Sequence, residues 1–248
     1  MGVAARTAVL SLALAACTRG GGTQSSVGDA APATASPSAS ATPTIDAGVD
    51  AGLTDAGLVD SGEVDAARAD GLAVLHTYRR VLHIGDSMVG FKFGLTRALG
   101  ARFEGDGAKF FSIPITSAGI QSFEKGTDLD DAIKKTHPDL VLITLGANNA
   151  TSPSPEYLIP AIKRVVKKIG VGANPRRKCV WIGPPLWKPD KVGFIDVLQK
   201  STEPCRFFDS SHLALDRMTD GIHPTNKGGE VWGDAVYRYL IEEMAHDG

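Results

Sequence analysis

Aromatic residues make up only 6% of this 248-residue chain, and none of them precedes Tyr78. A stretch that long without Phe, Tyr or Trp has little to build a core from, so the folding unit is expected over residues 71–248. Cysteine is scarcer still: Cys17, Cys179 and Cys205 are the only three, and no Cys-x-x-Cys occurs, which excludes a zinc ribbon. No Gly-x-Gly-x-x-Gly and no His-Glu-x-x-His is present, so dinucleotide-binding and zinc-protease readings fall away. No apolar run reaches the roughly 20 residues that a bilayer-crossing helix needs. Neither sign of charge dominates. The net charge of −2 argues against a dedicated nucleic-acid binder, which normally presents a strongly basic face. What is present, 43% hydrophobic and 22% charged residues, is the mixture of an ordinary globular domain. A domain of this size buries about 70% of the surface its unfolded chain exposes, so no metal is needed for folding.

The first residues read as an address. Met1 to Arg6 carries one positive side chain, Thr7 to Ala16 is apolar, and Cys17 follows Leu14-Ala15-Ala16. The apolar run fits a secretory signal. Leu-Ala-Ala-Cys resembles a bacterial lipobox, in which the Cys becomes the lipidated first residue of the mature protein. The resemblance implies a signal peptide over residues 1–16 and a lipid anchor at Cys17 as the chain's single membrane attachment. It also implies a place in the bacterial cell envelope, at the periplasmic face of the outer membrane or the cell surface. Thr18, where inner-membrane lipoproteins carry Asp, favours the outer membrane. An ordinary cleaved signal with a coincidental Cys, or a buried helix, is the bland alternative. Residues 17–70 are rich in Ala, Gly, Ser, Pro and Asp, with eight acidic residues against Arg19 and Arg68. Such a segment cannot bury enough apolar area to offset its ordering entropy, and it is expected to be a disordered tether. The Asp-Ala-Gly triplets at 46–48, 50–52 and 55–57 lack the nonapeptide period of a calcium-binding β-roll.

Beyond Tyr78, apolar runs alternate with helical patterns. Strands are expected at Val81–Ile84, Phe110–Ile115, Leu140–Leu145, Val180–Gly183 and Arg206–Phe208. Pro114 places the second toward a sheet edge or marks a strand end. Helices are expected over Met88–Leu99, Thr127–Thr136 (with Asp130 completing an imperfect capping box), a segment opened by Ser154-Pro155 and closed by Gly170, and Lys227–Met244. The alternation predicts a parallel, doubly wound α/β sheet whose ligand site lies at the carboxyl ends of its strands.

Four short motifs fall at those ends. Gly85-Asp86-Ser87 follows the first strand, where a serine hydroxyl would stand above the sheet with its N–H at a helix terminus; the plainer reading is a helix cap. Gly85 and Gly90 have P-loop spacing, but Phe91-Lys92-Phe93 stands where Lys-Ser/Thr is required. Gly119, in Ser117-Ala118-Gly119, and Asn148, in Gly146-Ala147-Asn148, follow the second and third strands. Each alone is loop punctuation; together they place two hydrogen-bond donors beside Ser87, as an oxyanion hole requires. Asp220-Gly221-Ile222-His223-Pro224 precedes the last helix, with Thr225 as its cap. It supplies an imidazole to take the Ser87 proton and a carboxylate to fix the ring tautomer. His83 reads as a strand residue, and His76, His137, His212 and His246 lie outside any ordered constellation.

In this order the four blocks resemble those of the SGNH (GDSL-type) hydrolase superfamily, over about residues 80–246. The resemblance implies a three-layer α/β/α, flavodoxin-like fold with five parallel strands and no metal or other cofactor. It implies Ser87 as nucleophile, His223 as base and Asp220 as the partner that orients it. The oxyanion donors would be the Ser87 N–H, the Gly119 N–H and the Asn148 side chain. Two departures stand out: Met88 for the usual Leu, which conserves volume, and Asn149 where Asp is usual, which leaves the support of that loop in question. In that fold the fourth and fifth strands are neighbours. Cys179 and Cys205 would then lie together at the amino-terminal edge of the sheet, close enough for a disulfide, the alternative being two buried thiols.

The expected activity is a serine ester hydrolase acting on a small or glycan-borne ester, most naturally a short acyl (acetyl) group on a carbohydrate. Trp187 is available either as a sugar platform or as a core residue. An O-acyltransferase on the same machinery, a non-catalytic glycan-binding lipoprotein and a lysophospholipase or phosphate-ester enzyme are the rivals. No nucleic-acid partner is expected, and the chain is expected to be a monomer.

Overall fold

The computed structural model describes residues 61–90, 94–171, 174 and 176–245. The expected signal peptide, Cys17 and the tether as far as residue 60 lie outside the described residues. Among those described, five strands form one parallel sheet: β1 (Arg80–Gly85), β2 (Lys109–Pro114), β3 (Leu140–Thr144), β4 (Lys178–Ile182) and β5 (Arg206–Phe208), in the order β2-β1-β3-β4-β5. Parallel neighbours require crossovers, and these place helices on both faces. Strand side chains alternate accordingly. Leu82, Ile84, Val141, Ile143 and Trp181 pack toward α3 (Ile120–Lys125), α4 (Asp128–Thr136), α5 (Ile159–Ile169) and α6 (Phe194–Ser201). Val81, Leu140, Leu142, Val180 and Ile182 pack toward α1 (Ser61–Leu75), α2 (Leu95–Gly105) and α7 (Asn226–Ala245). This is the three-layer α/β/α arrangement that the motif order implied.

The local expectations hold best where the periodicity is strong. Leu158, Ile162, Val165 and Ile169 are all fully buried, and Gly170 ends α5 in the left-handed region at φ 73°. A 3-10 turn, Pro155–Leu158, precedes that helix. β2 is the edge strand that Pro114 suggested.

Three expectations need correction. The tether was drawn to residue 70, yet α1 begins at Ser61. Its alanines favour helix, and Leu72, Val74 and Leu75 dock on the α7 layer without an aromatic. The two helices approach closely at Gly71, where a Cβ would sit 1.9 Å from the Ile241 carbonyl oxygen. The helix expected from Met88 starts only at Leu95, because residues 87–90 fold into a tight turn and Gly94 forms the helix N-cap. The capping box at Thr127 does not form; Asp128, Asp130 and Asp131 instead place negative charge at the positive end of α4. Short α3 and α6 were not expected at all.

Cys179 in β4 and Cys205 just before β5 are joined as a disulfide, with Cα atoms 4.8 Å apart, at the amino-terminal edge of the sheet. The bridge closes a separation of 26 residues. The chain-entropy model assigns such a loop about 3 kcal/mol, so reduction should lower Tm by roughly 6 to 12 °C. Two free thiols titrating in denatured, unreduced protein would contradict the bridge.

His83, fully buried in β1, ties three elements together. Its Nε2 lies 3.0 Å from Thr144 Oγ1 in β3, and its Nδ1 lies 3.1 Å from Thr96 Oγ1 in α2. The Thr96 hydroxyl spends its proton on the Val89 carbonyl, so Thr96 accepts from His83 Nδ1–H and Thr144 donates to Nε2. Burial holds the His83 pKa down at about 3, against an unperturbed 6.5. The native state therefore binds fewer protons than the unfolded chain below pH 6.5, and the His83 contribution to stability is lost as pH falls from about 6.5 toward 3. The His83→Gln protein should show a flatter urea-unfolding profile over that window. A difference between the two proteins that does not change with pH would refute the assignment.

Candidate active site

β1 ends at Gly85, where β3 runs too close for a side chain: a Cβ there would fall 2.0 Å from the Thr144 carbonyl oxygen. The Asp86 N–H donates to that same oxygen at 3.1 Å. The chain then turns sharply, with Asp86 Oδ1 accepting from Met88 N–H at 2.9 Å and Ser87 O from Gly90 N–H at 3.1 Å. Both sequence readings of this block thus find a residue. Asp86 caps the turn and Ser87 projects from it, on a turn and not at a helix terminus. Asp86 is fully buried, and its Oδ2 has no hydrogen-bond partner among the described residues. Burial pushes its pKa up to about 6.

Ser87 Oγ lies 2.9 Å from His223 Nε2, and His223 Nδ1 lies 2.7 Å from Asp220 Oδ2. The Asp220 Oδ1 accepts from the N–H groups of Ile222 (2.8 Å) and His223 (3.0 Å). The bond from the His223 ring, then these two backbone bonds, draw the Asp220 pKa down to about 2. An ionised carboxylate at Nδ1 holds the ring proton there and leaves Nε2 free to accept from Ser87. The loop is internally closed: Met218 N–H donates to His223 O at 2.8 Å and Gly221 N–H to Met218 O at 2.9 Å. Thr225 caps α7 as expected, accepting from Gly228 N–H at 3.1 Å.

The donors come from the neighbouring strand ends. Asn148 sits in the 3-10 turn after β3, and its Nδ2 gives one proton to Ala118 O at 2.9 Å. The second proton remains for the cleft that Asn148 lines with Ser87 and His223. Gly119 stands at the head of α3. Among the described residues, neither the Gly119 nor the Ser87 N–H has a protein acceptor. Asn149 answers the question raised by its identity. Its Oδ1 accepts from Ile120 N–H at 3.0 Å, as an Asp would, and its Nδ2 donates to Gln121 Oε1 at 3.2 Å. The β3 loop is therefore stitched to α3.

Sequence reading missed Arg217. Its guanidinium donates to Ile222 O in the His223 loop, and to Pro185 O (3.1 Å) and Leu186 O (3.0 Å) in the segment after β4. A lone Arg ahead of Asp220 belongs to none of the four motifs, so no pattern marked it. Arg217 holds the loop bearing the imidazole against the segment bearing Trp187.

Two clefts meet at Ser87, Met88 and His223. One, of about 250 Å³, continues past Asn148 and Ile222 to Thr151 and Trp187. The other, of about 330 Å³, is bounded by Met218, Pro224 and Thr116. Trp187 packs on the α1-α2-α7 core cluster and also lines a cleft. No group of three or more His, Cys, Asp or Glu suited to hold a metal exists among the described residues.

The fold is one that solved esterases and acylhydrolases share. Among solved structures, the lipase/acylhydrolase from Enterococcus faecalis shares it with a TM-score of 0.52 and 17% identity, over 66% of this chain and 96% of that one. The acetyl xylan esterase AlAXEase does so with a TM-score of 0.52 and 14% identity, over 64% and 98%. Among curated proteins, Protein BcsX of Komagataeibacter xylinus is 26% identical over 208 residues, 66% of this chain and 77% of BcsX. No family model matches the chain.

If Arg217 positions His223, the Arg217→Ala protein should react with a fluorophosphonate serine probe about 10- to 100-fold more slowly at a temperature where it remains folded. Unchanged labelling of Ser87 would show that the loop holds itself.

Proposed function

We propose that the protein is a serine ester hydrolase that removes short acyl groups, acetyl foremost, from a carbohydrate. One observation carries the reading: Ser87 Oγ, His223 and Asp220 stand in hydrogen-bond sequence at 2.9 and 2.7 Å, with the Asn148 amide in the same cleft. In this reading His223 Nε2 takes the Ser87 proton as Oγ attacks the ester carbonyl. The oxyanion is met by the N–H groups of Ser87 and Gly119 and the Asn148 amide. The C–O bond to the alcohol breaks, and His223 returns the proton to the departing oxygen. Water, deprotonated by His223, then attacks the acyl-serine and frees the acid and Ser87. Three neutral donors suit a charge that exists only in the transition state. The apolar cleft by Met218 and Pro224 suits the acyl group, and the one reaching Trp187 suits the alcohol. A lipase/acylhydrolase and an acetyl xylan esterase of the same fold support the class and the carbohydrate.

The test is an ester panel from acetyl to octanoyl, on 4-nitrophenyl and sugar alcohols. Ser87→Ala and His223→Ala should each abolish turnover about as fully as the double variant. Asn148→Ala should keep the fold and lose roughly 10²- to 10³-fold in kcat. A loss under threefold for Asn148→Ala beside a severe one for Asn149→Ala would move the donor by one residue. Octanoyl esters preferred over acetyl would overturn the short-acyl assignment. Acyl transfer to added glycan in place of free acid would make the protein a transferase.

A further inference from the structure

The alcohol side of the site does not end at Trp187. A second cleft of about 350 Å³ shares Thr151 and Trp187 with the one that holds Ser87 and His223, and extends it to Ser152, Lys188 and Lys191. Each cleft falls in or near the size range of small-molecule sites, so the two in series can hold more than one sugar unit. The platform between them is fixed from behind. Leu186 packs on one core cluster, Trp187 on the other, and Arg217 holds the carbonyls of Pro185 and Leu186. A Trp held in this way offers an aromatic face at little entropic cost.

The far end is electropositive. Lys188 and Lys191 are exposed and make no ion pair with a described residue. The carboxylate between them, Asp190, keeps its negative charge but is turned to the head of α6, where Oδ1 accepts from Val192 N–H at 3.1 Å and Oδ2 from Ile195 N–H at 2.9 Å, so two ammonium groups stand against one carboxylate. A saccharide whose acylated unit sits at Ser87 and whose next unit lies on Trp187 brings its following group to these two ammonium groups. Thr151 and Ser152 supply hydroxyls along the way. A neutral polymer gains nothing from unpaired lysines at that position. A carboxylate does.

We infer that this groove selects an acidic saccharide, one carrying a carboxylate-bearing sugar beyond the acylated unit, with Trp187 as stacking platform and Lys188 and Lys191 as the charge-reading residues. The inference deepens the proposed function and rests on it for the placement of the acylated unit at Ser87. Phosphate of a lysophospholipid headgroup would meet the same lysines, but the rigid indole platform and the hydroxyl-lined wall favour a sugar chain over a lipid.

The experiment measures binding apart from turnover. Trp181 and Trp232 are fully buried, so Trp187 is the tryptophan whose fluorescence a bound ligand can reach. Ser87→Ala protein is titrated with oligogalacturonates and glucuronic-acid-bearing xylo-oligosaccharides, and with neutral xylo- and cello-oligosaccharides of matched length, at low and high salt. The acidic ligands should bind about 3- to 10-fold more tightly at low salt, as two exposed ion pairs allow, and the gap should close at high salt. It should also close in the Lys188→Gln/Lys191→Gln protein, whose Tm confirms its folding, while Trp187→Ala, which lacks the fluorescent reporter and is followed by titration calorimetry, should weaken acidic and neutral ligands alike. Equal affinity for the two classes, a gap that persists without the lysines, or a response to lysophospholipid alone would overturn the inference. Turnover of 4-nitrophenyl acetate by the wild type, a substrate too small to reach the lysines, separates the two claims. Turnover without acidic preference sinks the groove, and acidic preference without turnover sinks the esterase.

Discussion

The side-by-side packing of β1 and β3 at Gly85 and Thr144 is the contact on which the site depends. Only a residue without a side chain lets the two backbones close to this distance, and the Asp86 N–H completes the join on the Thr144 carbonyl. The join lies at the end of β1, ahead of the turn that projects Ser87, and puts the loop after β3 next to it. Asn148 then reaches the cleft by way of Ala118 O, while Asn149 ties the same loop to α3. A shift of one residue in that pairing would reverse the inward and outward faces of β1, taking His83 from its partners and Ser87 from His223. Register, reactivity and core packing are therefore one constraint.

The charges are sorted by depth. His83 lies beneath the site, is kept neutral by burial, and acts through two threonine hydroxyls as a structural pin. Asp86, one residue before the nucleophile, is buried enough that its acid form persists to about pH 6. Asp220, at the surface, is ionised down to about pH 2. Two carboxyls near the same serine are thus driven in opposite directions, and the one drawn toward the anion is the one that touches the imidazole.

Ser87 and Asn148 were legible in the sequence because each sits where a strong strand signal ends and a short motif begins, and Asp220 and His223 because their Asp-x-x-His spacing stands just ahead of the last helix. The sheet was legible for the same reason: runs such as 140–145 admit one reading. α1 was hidden because its docking rests on Leu72, Leu75 and a helix crossing at Gly71, none of which differs locally from the small residues before it. The start of α2 was misjudged because its apolar spacing extends back through Val89, while the turn bonds at Asp86 and Ser87 decide the matter. Arg217 leaves no mark at all, since its three acceptors are backbone carbonyls of residues 185, 186 and 222. Backbone acceptors carry no residue identity, and a guanidinium that reads only them is visible only in the fold.

Asp220 and His223 are three residues apart, whereas Ser87 and His223 are separated by 136. The acid–base pair can form within a single loop almost without loop-closure entropy, but it reaches the nucleophile only when α7 settles over α1 and α2. As the chain is synthesised, Ser87, Gly119 and Asn148 emerge long before His223 does. Until the His223 loop is in place, Ser87 has no imidazole beside it. The Ser87–His223 contact is thus the last part of the site that synthesis makes possible.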